Sequence, residues 1–117
     1  MCSGKIYYEI LAEAEKVTGP RPAVVRVEQL YTFPAVEMRE ILGRYGDLHD
    51  LVWVQEEPRN MGGWRYLEEK IRDVMPGGVT LRYAGRPERA SPAEGYHAAH
   101  VAEQRRIIGE ALTGRRK

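Results

Sequence analysis

The run Leu51-Val52-Trp53-Val54 is apolar at four consecutive positions, and no other feature of the chain narrows its fold as much. A strand with one wet face alternates apolar and polar side chains. An unbroken run belongs to a strand covered on both faces, the usual condition of a parallel sheet. Parallel neighbours need long crossovers, normally helices, so the flanking segments should carry a helical period. They do. Upstream, Met38, Ile41 and Leu42 follow Phe33-Pro34, where the proline suits a first helical turn, and Tyr45-Gly46-Asp47 ends the helix. Downstream, Trp64, Leu67, Ile71 and Val74 are spaced like one helix face until Pro76-Gly77-Gly78 interrupts them.

The same reading extends to both ends. Ser3 is placed to cap a first helix that begins near Gly4, carries Ile6, Ile10, Leu11, Ala14 and Val17, and stops at Gly19-Pro20. Ala23-Val24-Val25-Arg26-Val27 and Val79-Thr80-Leu81-Arg82-Tyr83-Ala84 read as strands. A proline-bearing loop from Gly85 to Gly95 leads into a last helix with Val101, Ile108, Ala111 and Leu112 on one stripe. The order α-β-α-β-α-β-α predicts one α/β domain over 1–117, a three-layer αβα arrangement with a mostly parallel sheet and right-handed crossovers. Met1-Cys2-Ser3 reads as the last step of a further strand whose body is missing.

At 117 residues and a net charge of +1, the chain has room for one core and no bulk charge to draw nucleic acid or a membrane surface. Arg105, Arg106, Arg115, Arg116 and Lys117 gather at the C-terminus and are expected to form a solvated helix face and tail. A single cysteine, Cys2, excludes an internal disulfide and fits a reducing compartment. No apolar run reaches the roughly 18 residues of a membrane span, and no signal peptide is visible. The expected location is cytoplasmic.

In open α/β sheets, ligand and partner contacts gather past the carboxyl ends of the strands, where the next helix starts. That edge here presents Glu28 and Gln29, the stretch Gln55 to Asn60, and Gly85 and Arg86. Arg59 and Arg86 stand beside a helix opened by Gly62-Gly63, whose free amides and positive dipole end suit a phosphate or carboxylate. Glu56 and Glu57 bring two negative charges to the same place and are expected to pair with Arg59, Arg86 or a neighbouring subunit. As an acid/base pair they would need a special turn, because adjacent strand residues point to opposite faces. His97 and His100 have the spacing of two metal ligands but no third ligand in sequence, so a surface or capping role is expected. Cys2 is expected to be a buried thiol rather than a nucleophile. No dinucleotide fingerprint, phosphate-binding loop or nucleophile elbow occurs. The chain alone is expected to be non-catalytic and to hold no cofactor or metal.

Four segments carry a family resemblance. Cys2-Ser3-Gly4-Lys5-Ile6-Tyr7-Tyr8 resembles the "CSGKVYY" of the thiamine diphosphate-dependent 2-oxoglutarate dehydrogenases, the decarboxylating first component of their complex. Arg26-Val27-Glu28-Gln29-Leu30-Tyr31-Thr32-Phe33-Pro34 is similar to "RIEQLYPFP", and Gln55-Glu56-Glu57-Pro58-Arg59-Asn60-Met61-Gly62-Gly63-Trp64 to "QEEPKNMGAW". Tyr83-Ala84-Gly85-Arg86-Pro87, with Ala90-Ser91-Pro92-Ala93 and Gly95, is similar to "YVGRPxxASPAxG". The departures, Thr32 for a proline and Gly63 for an alanine, remove no functional group.

The resemblance implies a C-terminal domain with the transketolase C-terminal fold, in which the "CSGK" segment ends a central strand that is largely missing here. A lost central strand leaves unpaired backbone groups on both neighbours, so the chain is expected to be a truncated fragment, poorly stable alone or filling the gap by association. Thiamine diphosphate and magnesium belong to the two preceding domains of the parent enzyme, and the family's catalytic histidines and cofactor-binding aspartate and asparagine have no counterpart here. The parent oxidatively decarboxylates 2-oxoglutarate in the tricarboxylic acid cycle and passes succinyl to a lipoyl carrier. The implied partners are those preceding thiamine-binding domains, the second subunit of the parent dimer, the acyltransferase component, and a nucleotide-type effector. Within this chain Gln55, Glu56, Arg59, Asn60 and Arg86 are expected to form an effector or interface edge. A stand-alone anion- or nucleotide-binding module using the same edge, and an inactive remnant, are the alternative expectations.

Overall fold

A computed structural model describes residues 1–113. Its regular elements are α1 (Ile6–Ala14), α2 (Ala35–Gly43), β1 (Asp50–Pro58), α3 (Trp64–Val74), β2 (Thr80–Arg86) and α4 (His97–Leu112). Strands β1 and β2 are parallel, with Asp50 opposite Thr80 and Val54 opposite Ala84. Beyond Val54 the register shifts, so that Pro58 stands opposite Arg86. The predicted second strand is thus longer than its apolar run, because Gln55 to Pro58 stay extended beyond Val54.

Cys2 extends the sheet on the other side of β1. It bridges in parallel to Val54 and, on its far side, to Arg26. Met1 N donates to Val52 O at 2.7 Å and Val54 N to Met1 O at 2.8 Å. Cys2 N donates to Val25 O at 3.0 Å and Val27 N to Cys2 O at 2.8 Å. The spatial order is therefore Arg26, Cys2, β1, β2, with Cys2 in the central position that the family resemblance implied. Ala23–Val27, expected as a strand, forms a single bridge, at Arg26, whose partner is Cys2.

Two apolar clusters cover the two faces. Trp53 packs with Met38, Leu42, Trp64, Leu67 and Ile71 beneath α2 and α3. Cys2 and Val54 pack with Ile6, Ile10, Ala84, Ile107 and Ile108 beneath α1 and α4. Successive strand residues point to opposite faces, and both faces are dry, which is why the run Leu51–Val54 is apolar throughout. The result is the expected α/β architecture with helices on both sides of a parallel sheet.

The helix ends differ from the sequence reading in detail. Ser3 does not cap α1. Lys5 occupies the N-cap position without a side-chain cap bond, because Gly4, at a φ of +76°, turns the chain between Cys2 and the helix and leaves Ser3 too far upstream. The Gly4 amide donates instead to Glu28 Oε1 at 3.1 Å. Helix α1 stops at Ala14, before Val17, and Pro34 is the residue preceding α2 rather than part of its first turn. No helix of the described residues is long and apolar enough to cross a membrane.

Helix α3 buries Trp64, Leu67, Ile71 and Val74 and leaves its other positions wetter. Ile71→Ala is expected to lower the free energy of unfolding by about 2–5 kcal/mol, while Glu69→Ala on the exposed side changes it by less than about 0.5 kcal/mol. Urea unfolding of both variants checks this.

Candidate functional site

The carboxyl edge of the sheet is built around Gln55, which is 4% exposed. Its Oε1 accepts from the Trp53 indole N–H at 2.9 Å and from the Trp64 amide at 3.1 Å. Its Nε2 donates to the carbonyls of Met61 at 2.8 Å, Pro58 at 3.1 Å and Glu57 at 3.3 Å. Gln55 therefore holds the turn Arg59–Gly63 closed and caps the start of α3. The first amide of that helix, expected to receive an anion, already has an internal acceptor. Gly62, at a φ of +64°, supplies the left-handed step of the turn. A Cβ there would also stand 3.1 Å from Gln55 Nε2. On β2, a side chain at Gly85 would run into the Tyr83 hydroxyl, whose single O–H lies between two acceptors, the carbonyls of Arg86 at 3.0 Å and Glu57 at 3.1 Å.

Arg86 is 2% exposed and does not face the start of α3. Its Nε and Nη2 bond the carboxylate of Glu94 at 2.8–3.0 Å. Its Nη1 donates to Glu56 O at 2.6 Å, and Nη2 lies 3.3 Å from His100 Nδ1. Arg89 Nη1 donates to the same carboxylate at 2.6 Å. These cationic donors, Arg86 foremost, hold the Glu94 carboxyl down to about 2 from an ordinary 4.5. Asn60 joins the turn to this loop, donating from Nδ2 to Arg89 O at 2.9 Å and accepting from Arg89 N at 3.1 Å.

Glu56 pairs with neither Arg59 nor Arg86, contrary to expectation. Its side chain lies 3.0 Å from Lys5 Nζ and accepts from Gln104 Nε2 at 2.9 Å. Position 56 shares the strand parity of Val54 and so faces α1 and α4. Lys5 and Gln104 also both bond Glu9, at 2.9 and 3.1 Å, which ties α1, β1 and α4 together. Glu57 goes the other way, its Oε2 lying close over Gly62, so the two adjacent carboxylates do not converge.

Arg59 is the expected edge residue that turns outward. Its guanidinium lies 5.2 Å from the Tyr83 ring centroid and 5.8 Å from that of Trp64. Among the described residues no carboxylate pairs with it.

Of the remaining candidates His97 and Arg105 are exposed, while His100, Cys2 and Arg106 are bonded or buried. His100 sits beside Arg86 and Glu94, and no group of three His, Cys, Asp or Glu side chains among the described residues is arranged for a metal ion. Cys2 is fully buried, and that burial pushes its thiol pKa up. Arg106, expected on a solvated face, instead donates to Gly85 O at 3.0 Å and pairs with Glu103 and Glu110 at 2.9 Å. Arg115, Arg116 and Lys117 lie outside the described residues.

The sequence reading missed Lys5, Glu94 and Gln104. Gln104 had a signal, a polar residue lying between Val101 and Ile108 on the inward stripe of α4. Glu94 had none, because it lies in a loop without periodicity.

Two substitutions test this construction. Gln55→Leu leaves three groups without their partner, the Trp53 indole N–H, the Trp64 amide and the Met61 carbonyl, at about 1–3 kcal/mol for each left unpaired. It should therefore lower stability by at least about 2 kcal/mol in urea unfolding. Glu94→Gln leaves the Arg86 charge buried without its counter-ion, a loss of about 3–5 kcal/mol near neutral pH. A carboxyl whose folded pKa is depressed stabilises above its unfolded value of 4.5, and the contribution disappears as pH falls from there to about 2. The gap in melting temperature between wild type and Glu94→Gln should close over that window.

The family described as "2-oxoglutarate dehydrogenase C-terminal" matches residues 1–112. The 2-oxoglutarate dehydrogenase E1 component of Shouchella clausii is 46% identical over 115 residues, covering 97% of this chain and 12% of that protein. The E1 component of an Exiguobacterium species is 50% identical over 117 residues, covering 96% and 12%. That of Haemophilus influenzae is 41% identical over 113 residues, covering 97% and 12%. The chain thus spans 12% of the length of these curated relatives, and its residues match them almost from end to end: it belongs to the 2-oxoglutarate dehydrogenase C-terminal family.

Proposed function

We propose that this chain acts as the C-terminal structural and regulatory domain of a 2-oxoglutarate dehydrogenase E1 component. In this reading the whole enzyme oxidatively decarboxylates 2-oxoglutarate and hands succinyl to the lipoyl carrier of an acyltransferase component in the cytoplasm. The domain supports the assembly with the preceding domains and a second subunit. The observation that carries the reading is identity at 46% over 97% of the chain to a protein named as that E1 component, spread along the chain rather than confined to one motif.

The polar side chains of the carboxyl edge support a non-catalytic role. Gln55, Asn60, Arg86 and Glu94 spend their hydrogen bonds on one another and on the surrounding backbone. They form no cradle for a diphosphate–magnesium pair. Thiamine diphosphate and magnesium are accordingly assigned to the rest of the enzyme, and no chemical step is routed through this chain. What the edge does supply is rigidity: a turn, a loop and two helices locked to the ends of β1 and β2.

The test is a chimera in which this chain replaces the matching segment of the Shouchella clausii E1 component. Thiamine-dependent turnover of 2-oxoglutarate within about tenfold of the parent supports the assignment, a tenfold rate difference being about 1.4 kcal/mol of barrier. A soluble chimera without turnover removes it.

The guanidinium of Arg59, which no carboxylate pairs among the described residues, favours a second use of the same edge, contact with an anionic, nucleotide-type effector. Calorimetric titration with ATP and with acetyl-coenzyme A separates the two. Saturable millimolar binding that Arg59→Gln abolishes supports the effector contact, and no saturable binding sinks it.

A further inference from the structure

Glu94 reaches Arg86 from a strap, Ala90–Gly95, that has almost no other hold on the domain. The strap contains no helix or strand, and none of its residues is buried as a whole. No backbone–backbone hydrogen bond joins residues 90–95 to the rest of the described chain, and Ser91 Oγ bonds only the nearby Ala93 O. The Glu94 side chain is nonetheless just 6% exposed. Its partners are positioned without its help. Arg86 lies on β2, with Nη1 fixed by the Glu56 carbonyl at 2.6 Å. The backbone of Arg89 is pinned by the Asn60 side chain through hydrogen bonds of 2.9 and 3.1 Å. His100 belongs to α4, with Nδ1 3.3 Å from Arg86 Nη2 and 3.8 Å from Glu94 Oε2.

We infer that Arg86, Arg89 and His100 form a binding site for a small carboxylate, occupied in this structure by the side chain of Glu94 as a tethered ligand that a free carboxylate displaces. The donor geometry sets the ligand class. Arg86 presents Nε and Nη2 to the two oxygens of one carboxylate at 2.9 and 2.8 Å, the parallel fork that matches a planar carboxylate. Arg89 Nη1 adds a third donor at 2.6 Å. The strap forfeits no apolar burial in swinging out, because Ala90, Pro92 and Ala93 are already exposed. Release leaves the Arg86 charge buried without a counter-ion, a costly state that an entering carboxylate relieves. A ligand that binds only the released state shifts the population toward it. The tether sets the concentration needed. A short flexible linker gives an effective concentration on the order of millimolar, so free carboxylate competes from that range upward. Arg89 also lines an open cleft of about 440 Å³ beside Arg59 and Arg106, which gives the ligand a way in. The site is independent of the E1 assignment.

The experiment uses the chain itself, with acetate as the probe, in two arms. In the first, Glu94→Ala is titrated with sodium acetate at neutral pH against sodium chloride of equal ionic strength. Expected is a saturable rise in melting temperature with acetate and none with chloride. The rise should vanish when Arg86→Met is added, an apolar replacement of both partners that the fold tolerates. In the second arm the unsubstituted chain is followed by amide relaxation. Saturating acetate should free Ala93 to Gly95, their order parameters falling from about 0.85 to below about 0.6, while those of α3 stay unchanged. Equal effects of acetate and chloride on Glu94→Ala, a response that survives Arg86→Met, or a Glu94→Ala chain that stays unfolded in acetate overturn the site. A strap that stays rigid in the unsubstituted chain at every acetate concentration overturns the exchange and leaves Glu94 an ordinary structural partner.

Discussion

The carboxyl edge of the sheet depends on one buried amide. Where β1 gives way to α3, the backbone turns while still covered by Trp64, and it brings both kinds of unpaired group with it. There is a helix-start amide that needs an acceptor, and there are turn carbonyls that need donors. A carboxamide carries an acceptor oxygen and two N–H donors on one side chain, and Gln55 uses both ends. A glutamate at 55 would meet the amide and face the carbonyls with like partial charge. A leucine would meet neither. The indole of Trp53 adds a bond to the same oxygen, so the side chain that anchors the α2/α3 core also orients the amide.

Around that amide the charges are sorted by which side of β1 they leave. Glu56 goes to the α1/α4 side, where Lys5 and Gln104 receive it. Arg86 leaves β2 at the same level and reaches the Glu56 carbonyl and the Glu94 carboxylate. Buried ion pairs of this kind contribute little net stability, because desolvation offsets the attraction, yet they are costly to break by removing one partner. Their consequence is geometric. With Glu94 and Asn60 both fixed, the loop following β2 is held against the Gln55 turn, and a loop that would otherwise be loose becomes part of a rigid edge.

Much of the fold was legible because both-face burial leaves a strong mark. The continuous run Leu51–Val54 and the stripe Trp64, Leu67, Ile71, Val74 report β1 and α3 directly, as their burial bears out. The place of Cys2 between two strands came from the family resemblance of Cys2-Ser3-Gly4-Lys5, since three residues carry no period of their own. The candidate site was less legible. Periodicity speaks of buried apolar faces, and a residue such as Glu94, whose environment is made by Arg86 and Arg89, has no periodic neighbour to betray it. Ser3 had the chemistry of a cap but not the position, because one left-handed glycine shifted the helix start past it.

The deeper reason lies in the register. Between Val54 and Pro58 β1 takes four steps while β2 takes two, from Ala84 to Arg86. The rule of alternating faces nonetheless carries through Gln55, Glu56 and Glu57, which go in turn to the α3 side, the α1/α4 side and back. What the sequence does not show is the slip in pairing, where extra residues on one strand bend it and set Pro58 opposite Arg86. Nearness in sequence to the carboxyl ends of the strands placed Arg59 and Arg86 together beside the start of α3. Arg86 instead shares the parity of Ala84 and goes to Glu94 and His100, while Arg59, beyond the end of β1, lies over two aromatic rings. One basic residue thereby becomes structural and the other is left available for contact, a division that local sequence alone does not encode.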